Sequence, residues 1–244
     1  MPRALYSSLQ NDEFRLLKVF CQKNRVSCKM SIFSLHSHPT YTALSYAWDN
    51  NNGNNGLSIS IPCNRNMITL SRELLAAFRA FRKCPDLHNP VWIWVDSICI
   101  NQDDDTEKAT QIGMMDQIYK SAEIVTIWTG TGETETQESL STLYNFAINI
   151  ARCTPFRPVD NVTALSGDPQ WKALDPFFCR RWFTRSWVVQ EVLLARKVRL
   201  VCGTTWIDWE TMTGFYLSCL EESQSNTVAL RRNELGYGVI KPFC

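Results

Sequence analysis

A chain of 244 residues with 45% hydrophobic and 20% charged side chains has the balance of a folded globular protein, and its nine Trp and twelve Phe supply bulk for one large core. Its 25 basic and 24 acidic groups leave a net charge of +1, so no whole-molecule field draws it to nucleic acid or to an anionic membrane, and any anion site must be local. No apolar run approaches the ~20 residues of a spanning helix, and the N-terminal MPRALYSS lacks the apolar core of a signal peptide, so a cytoplasmic protein with no membrane partner is expected.

In chain order, residues 14–20 (FRLLKVF) and 26–35 (VSCKMSIFSL) alternate apolar and polar side chains, which predicts a half-buried antiparallel pair, an N-terminal β appendage over 1–40. Tyr41 to Ala47 reads as a strand, followed by an Asn/Gly-rich loop from Asp49 to Gly56. Leu57 to Pro62 and Asn66 to Leu70 form a short hairpin, after which Ser71 caps a helix carrying Leu74, Leu75, Phe78 and Phe81. Val91 to Val95 is a continuous apolar run, as expected of a strand buried on both faces. Asp103 or Asp104 then caps a helix whose stripe is Ala109, Ile112, Met115, Ile118, Tyr119 and Ala122, and residues 123–129 form the next strand. This strand, helix, strand succession implies a crossover and a parallel sheet. Helices are expected over about 138–151, 171–178, 186–195 and 209–220, and a strand over 198–202, with an irregular excursion from Cys153 to Pro169. The expected organisation is one domain over 1–244, with a core at 41–203 and a C-terminal helical extension at 204–244.

Ten scattered cysteines with no CxxC pair read as reduced, mostly core thiols. The histidines are His36, His38 and His88, and His36-Ser-His38 has no third ligand in view, so no metal is expected. Cys99 lies between Ile98 and Ile100 with no motif histidine near it, which favours burial over nucleophilic use. In an open parallel sheet, ligands bind beyond the carboxyl ends of the strands, and three polar groups fall there: Ser45 to Asp49, Asp96 to Gln102 and Thr129 to Gly132. Asp96 and Asn101 either line that cleft or shape a turn.

Five blocks in register carry a family resemblance: Tyr41-Thr-Ala-Leu-Ser-Tyr-Ala-Trp48, the run from Trp92 to Gln102, Gln111 with Ile118-Tyr119, Ile127-Trp-Thr-Gly130, and Trp182-Phe-Thr-Arg-Ser-Trp-Val-Val-Gln-Glu191. They resemble the successive signatures of HET (heterokaryon incompatibility) domains, modules of fungal programmed cell death. Asp49 departs from the glycine usual after Trp48. HET domains are in turn similar to TIR domains, innate-immunity modules of which some hydrolyse NAD. The resemblance therefore implies a TIR/flavodoxin-like open parallel sheet with helices on both faces and irregular insertions. It also implies a role in nonself recognition through an NADase-like activity, with NAD as substrate and no resident cofactor.

Ser186-Trp187-Val-Val-Gln-Glu191 resembles the TIR pattern of Ser, aromatic residue and Glu, in which the Glu is catalytic in the NAD-cleaving members. A spacing of four puts Trp187 and Glu191 on one helix face. Cleavage of the nicotinamide–ribose bond passes through an oxocarbenium-like state that a carboxylate stabilises, so Glu191 is the catalytic candidate. Arg180, Arg181 and Arg185 precede the helix, where guanidinium groups can grip a pyrophosphate. The nucleotide-binding set is then Ser45, Tyr46, Trp48, Asp96, Asn101, Arg181, Arg185 and Trp187. Against this, Glu191 and the arginines can be a salt-bridged helix start, and Trp182 and Trp187 core anchors. Two further readings remain open: a non-enzymatic module that self-associates or answers an upstream activator, and a nucleotide-binding module without turnover.

Overall fold

The computed structural model describes residues 5–22, 25–48, 58–81, 83, 91–132, 140–141, 177, 179–185 and 188–209. Among these residues the fold is mixed α/β, built on one nine-stranded sheet with few helices. The strands are β1 (Glu13–Gln22), β2 (Arg25–Ser34), β3 (Thr42–Tyr46), β4 (Ile59–Cys63), β5 (Asn66–Leu70), β6 (Val91–Trp94), β7 (Ile124–Trp128), β8 (Val198–Cys202) and β9 (Thr205–Asp208). Their order across the sheet is β5-β4-β2-β1-β6-β3-β7-β8-β9. β6, β3, β7 and β8 are mutually parallel, with β1 antiparallel to β6 on one flank and β9 antiparallel to β8 on the other. The crossover between β6 and β7 passes through the long helix, as expected, and β3 lies between them.

β1 and β2 pair in register from Glu13↔Ser34 to Gln22↔Arg25. They are not an appendage, because β1 continues the main sheet through Leu17↔Ile93 and Val19↔Val91. The alternation misleads at Arg15, which reads as a solvent-facing residue but is 1% exposed. It donates to both carboxylate oxygens of Glu107 at 2.6 and 2.8 Å, and to the carbonyls of Cys99 and Ser7. A charge so paired can sit in an interior that an unpaired one cannot.

The hairpin β4–β5 forms as expected and turns at Asn64, whose φ is 56° and whose side chain bonds both N–H and C=O of Met30. Helix α1 (Arg72–Phe81) is capped by Ser71, whose hydroxyl accepts from Leu74 N–H, and it buries Leu74, Leu75, Phe78 and Phe81. After β6 a short helix α2 (Asp96–Cys99) stands where the sequence suggested only a polar loop. In α3 (Asp105–Ser121), Asp104 caps by accepting from the N–H groups of Thr106 and Glu107. The buried stripe of α3 is Gln111, Met114, Ile118 and Tyr119; Ala109 and Ile112 face outward. Gln111 takes an inward place because its Nε2 donates to the Glu13 carbonyl at 2.8 Å, so the stripe is shifted from the one an apolar count selects. A 3-10 turn (Arg181–Thr184) and helix α4 (Val188–Leu193) lead into β8.

The helices expected over 138–151, 171–178 and 209–220, and the excursion over 153–169, lie largely or wholly outside the described residues, as do Asp49 and the loop after it. No helix of the described residues is long and apolar enough to cross a membrane.

Candidate functional site

All five residues of β3 are buried, which is the setting of a central strand with neighbours on both edges. Ser45 is therefore a hydroxyl in the core, 1% exposed, and it needs partners. It has two. Trp182 Nε1, from the 3-10 turn, donates to Ser45 Oγ at 2.6 Å, and Ser45 Oγ donates to Glu191 Oε2 from α4. Glu191 is itself 1% exposed. Its other oxygen lies 3.4 Å from Arg185 Nη2, while Arg185 Nη1 donates to the Tyr46 carbonyl at 2.7 Å. Arg185 thus ties the carboxyl end of β3 to the carboxylate of α4, with part of its own side chain open to solvent.

Asp96 enters from the end of β6 and is half-buried. Its Oδ1 accepts from Trp48 Nε1 at 3.0 Å and from the Ser97 N–H at 2.7 Å, and Tyr46 donates its hydroxyl to Ser97 Oγ at 2.8 Å. Burial first, and then the negative charge of Glu191, push the Asp96 carboxyl up to about 6, with Arg185 pulling the other way. Burial also pushes the Tyr46 hydroxyl up to about 12, and raises that of Tyr119, next to Glu191, well above its ordinary value. Both phenols therefore hold their protons at neutral pH and act as hydrogen-bond donors. The result is a centre holding a desolvated carboxylate, a guanidinium and a second carboxyl that exchanges its proton near pH 6. Such a set can stabilise a developing positive charge and move a proton beside it.

The centre is closed in this conformation. The gap bounded by Met115, Asp116, Tyr119, Gln190, Glu191 and Leu194 leaves no room for a water molecule. Arg185, Asp96 and Trp48 are half-buried. A separate, open cavity of about 540 Å³ is bordered by Glu73, Trp128, Gly130, Thr131, Arg181 and Trp182 among others.

Of the residues chosen from sequence, Ser45, Arg185 and Glu191 meet directly, and Tyr46, Trp48 and Asp96 adjoin them. Arg181 borders the cavity. Asn101 is engaged elsewhere, its N–H donating to Glu107 and its side chain accepting from Asp103 N–H. Trp187 lies outside the described residues, so its place on the same helix face as Glu191 stays a sequence expectation. Cys99 is fully buried, and burial pushes its thiol up to about 12. His38 packs edge-on against Phe14 and Tyr41. Sequence reasoning passed over Trp182 as a core anchor and Tyr119 as a stripe residue. The former sits in the same signature block as Glu191, which is the signal that pointed to it. Glu73, on α1, carries no such signal.

Comparison with known proteins adds three findings. The profile of the family described as Heterokaryon incompatibility protein (HET) matches residues 41–191. The chain is 22% identical over 222 residues to the Neurospora crassa protein "Heterokaryon incompatibility protein 6, OR allele", a match covering 75% of this chain and 32% of that protein, so the chain spans about a third of the relative's length. No solved structure matches.

Proposed function

The chain belongs to the heterokaryon incompatibility (HET) family, and from that premise we propose that it acts in fungal nonself recognition as a cell-death module, by hydrolysing NAD or a related nucleotide at Glu191. On this reading the parallel strands β6, β3, β7 and β8 correspond to the open sheet of TIR/flavodoxin-like domains, and the centre occupies the position where such sheets bind ligands. The observation that supports it is the convergence of Ser45, Asp96, Arg185 and Glu191 at the carboxyl ends of β3 and β6. A buried carboxylate costs several kcal/mol of desolvation even when paired, and a well-packed core has no need of one. NAD approaches along the face of Arg185, Asp96 and Trp48, with its pyrophosphate on Arg185. Glu191 stabilises the ribosyl cation as nicotinamide leaves, and water completes the hydrolysis. Because Glu191 is covered in the resting conformation, turnover requires α4 to shift, which self-association or an upstream activating protein would supply.

The test is chromatography of NAD incubated with concentrated protein, beside Glu191→Gln, which keeps the shape and removes the charge. Nicotinamide release by the parent chain and its loss in the variant are expected. A chain that never releases nicotinamide at any protein concentration, while still killing cells, sinks the enzymatic reading.

One observation favours a second reading. Glu191 is 1% exposed with both oxygens engaged, as in a structural ion pair. In that case the module signals by self-association, and Glu191→Gln leaves killing intact as long as oligomers form.

A further inference from the structure

We propose that the cavity at the carboxyl end of β7 is a second ligand site, shaped for a small phosphate-bearing molecule with free hydroxyl groups, such as a phosphorylated pentose or a nucleoside monophosphate. The proposal does not depend on NAD turnover at Glu191. A volume of about 540 Å³ falls within the ~300–1,000 Å³ usual for small-molecule sites. The cavity opens at the carboxyl end of β7, along the segment Trp128 to Thr131, where the loops of a parallel sheet are available to a ligand.

Among the described residues, the charged side chains on its wall are Arg180, Arg181 and Glu73. The guanidinium of Arg180 suits an anion, and Glu73 supplies an acceptor for its hydroxyl groups. Arg180 is preset: its Nη1 donates to the Thr129 carbonyl at 2.9 Å and contacts Cys202 Sγ at 3.3 Å, and its guanidinium lies 5.5 Å from the centre of the Phe177 ring. A planar fork held in place loses little freedom when it meets a phosphate. Glu73 is oriented as well, since its Oε2 accepts from Trp128 Nε1 at 3.1 Å. Between the two stands Gly130, at φ 110°, where a Cβ would meet Arg180 Nη1 at 3.4 Å and Glu73 Oε2 at 3.7 Å. Glycine permits the turn and keeps the floor between cation and carboxylate open.

Neither Glu191, Asp96 nor Arg185 borders this cavity. Trp182 is common to the two places, but it is buried, and its Nε1 holds the Ser45 hydroxyl that bonds Glu191.

The experiment titrates the chain with ribose 5-phosphate, AMP and inorganic phosphate, read by calorimetry and by tryptophan emission. Saturable binding of both organic phosphates is expected. Arg181→Glu, at an exposed position, should weaken every ligand at least about tenfold, the value of one charge-assisted contact. Glu73→Gln keeps an acceptor for Trp128 and should weaken the two hydroxylated ligands several-fold, leaving inorganic phosphate unchanged. Glu191→Gln should leave all affinities unchanged. The proposal is overturned if no ligand saturates by about 10 mM, well above the millimolar range of weak specific binding, if Arg181→Glu has no effect, or if Glu191→Gln abolishes binding in a folded protein. Binding without any NAD turnover would retire the enzymatic reading and leave this site standing.

Discussion

Ser45→Ala removes a hydroxyl that serves two buried partners at once. Trp182 Nε1 loses its acceptor, and Trp182 is 1% exposed, so no water replaces it. An unpaired buried donor costs about 1–3 kcal/mol, and a hydrogen bond to a charged group contributes about 1.5–3 kcal/mol. Because one oxygen supplies both, and Glu191 keeps Arg185, the sum is discounted to about 3 kcal/mol. For a chain of this length that corresponds to a fall of about 6–12 °C in Tm. The assay is thermal and urea unfolding of the parent, Ser45→Ala, Trp182→Phe and the double variant. If Trp182 Nε1 donates to Ser45, the double variant loses less than the sum of the singles, by about 0.5–3 kcal/mol. A Ser45→Ala loss below about 1 kcal/mol, or strict additivity, refutes the proposed chain of bonds.

Asp96→Asn keeps the Oδ1 acceptor for Trp48 and Ser97 and removes the charge. The folded carboxyl titrates near 6 against 3.8 for the free group, so the stability it supplies is full below about pH 4 and is lost as pH rises through 6. The variant should lack that decline and be up to about 3 kcal/mol more stable at pH 7, since each tenfold change in proton affinity corresponds to about 1.4 kcal/mol; unfolding midpoints from pH 4 to 8 check this, and a less stable variant at pH 7 contradicts it. Arg15→Ala strands Glu107 beside the carbonyls of Cys99 and Ser7 and should cost about 3–5 kcal/mol, the usual penalty for breaking a buried pair. Replacing both members, Arg15→Met with Glu107→Gln, should recover much of that loss in denaturant midpoint. Asn64→Gly keeps the left-handed turn and loses the two bonds to Met30, whereas Asn64→Ala loses both. Asn64→Ala should therefore be the less stable by about 1 kcal/mol in the same measurement.

What sequence discloses here is what depends on neighbours along the chain. The β1–β2 pairing, the Ser71 and Asp104 caps and the burial of Leu74, Leu75, Phe78 and Phe81 all follow from local periodicity and capping chemistry. Arg15 and Gln111 defeat it, since each is admitted to the interior by a partner about ninety positions away. The same holds at the centre. Ser45 and Glu191 were legible as members of separate blocks, yet their bond, and the place of Trp182 in it, depend on strand order. The short helix after β6 escaped because Asp96 to Gln102 carries neither a period nor a capping pattern of its own. Arg181 and Arg185 stand at the two ends of the 3-10 turn, Arg185 on Glu191 and Arg181 at the cavity, and a spacing of four in the sequence does not tell these places apart.

The insertion of β3 between β6 and β7 sets an order of events during synthesis. β3 is complete at Tyr46, but its two neighbours end only at Trp94 and Trp128, so a nascent chain carries it with both edges bare until those segments emerge. Pairings so distant in sequence form late and leave growing chains prone to aggregation. No translation product that stops before Glu191 holds the Ser45–Glu191 contact, so the buried centre closes only once the helix that carries Glu191 has been made.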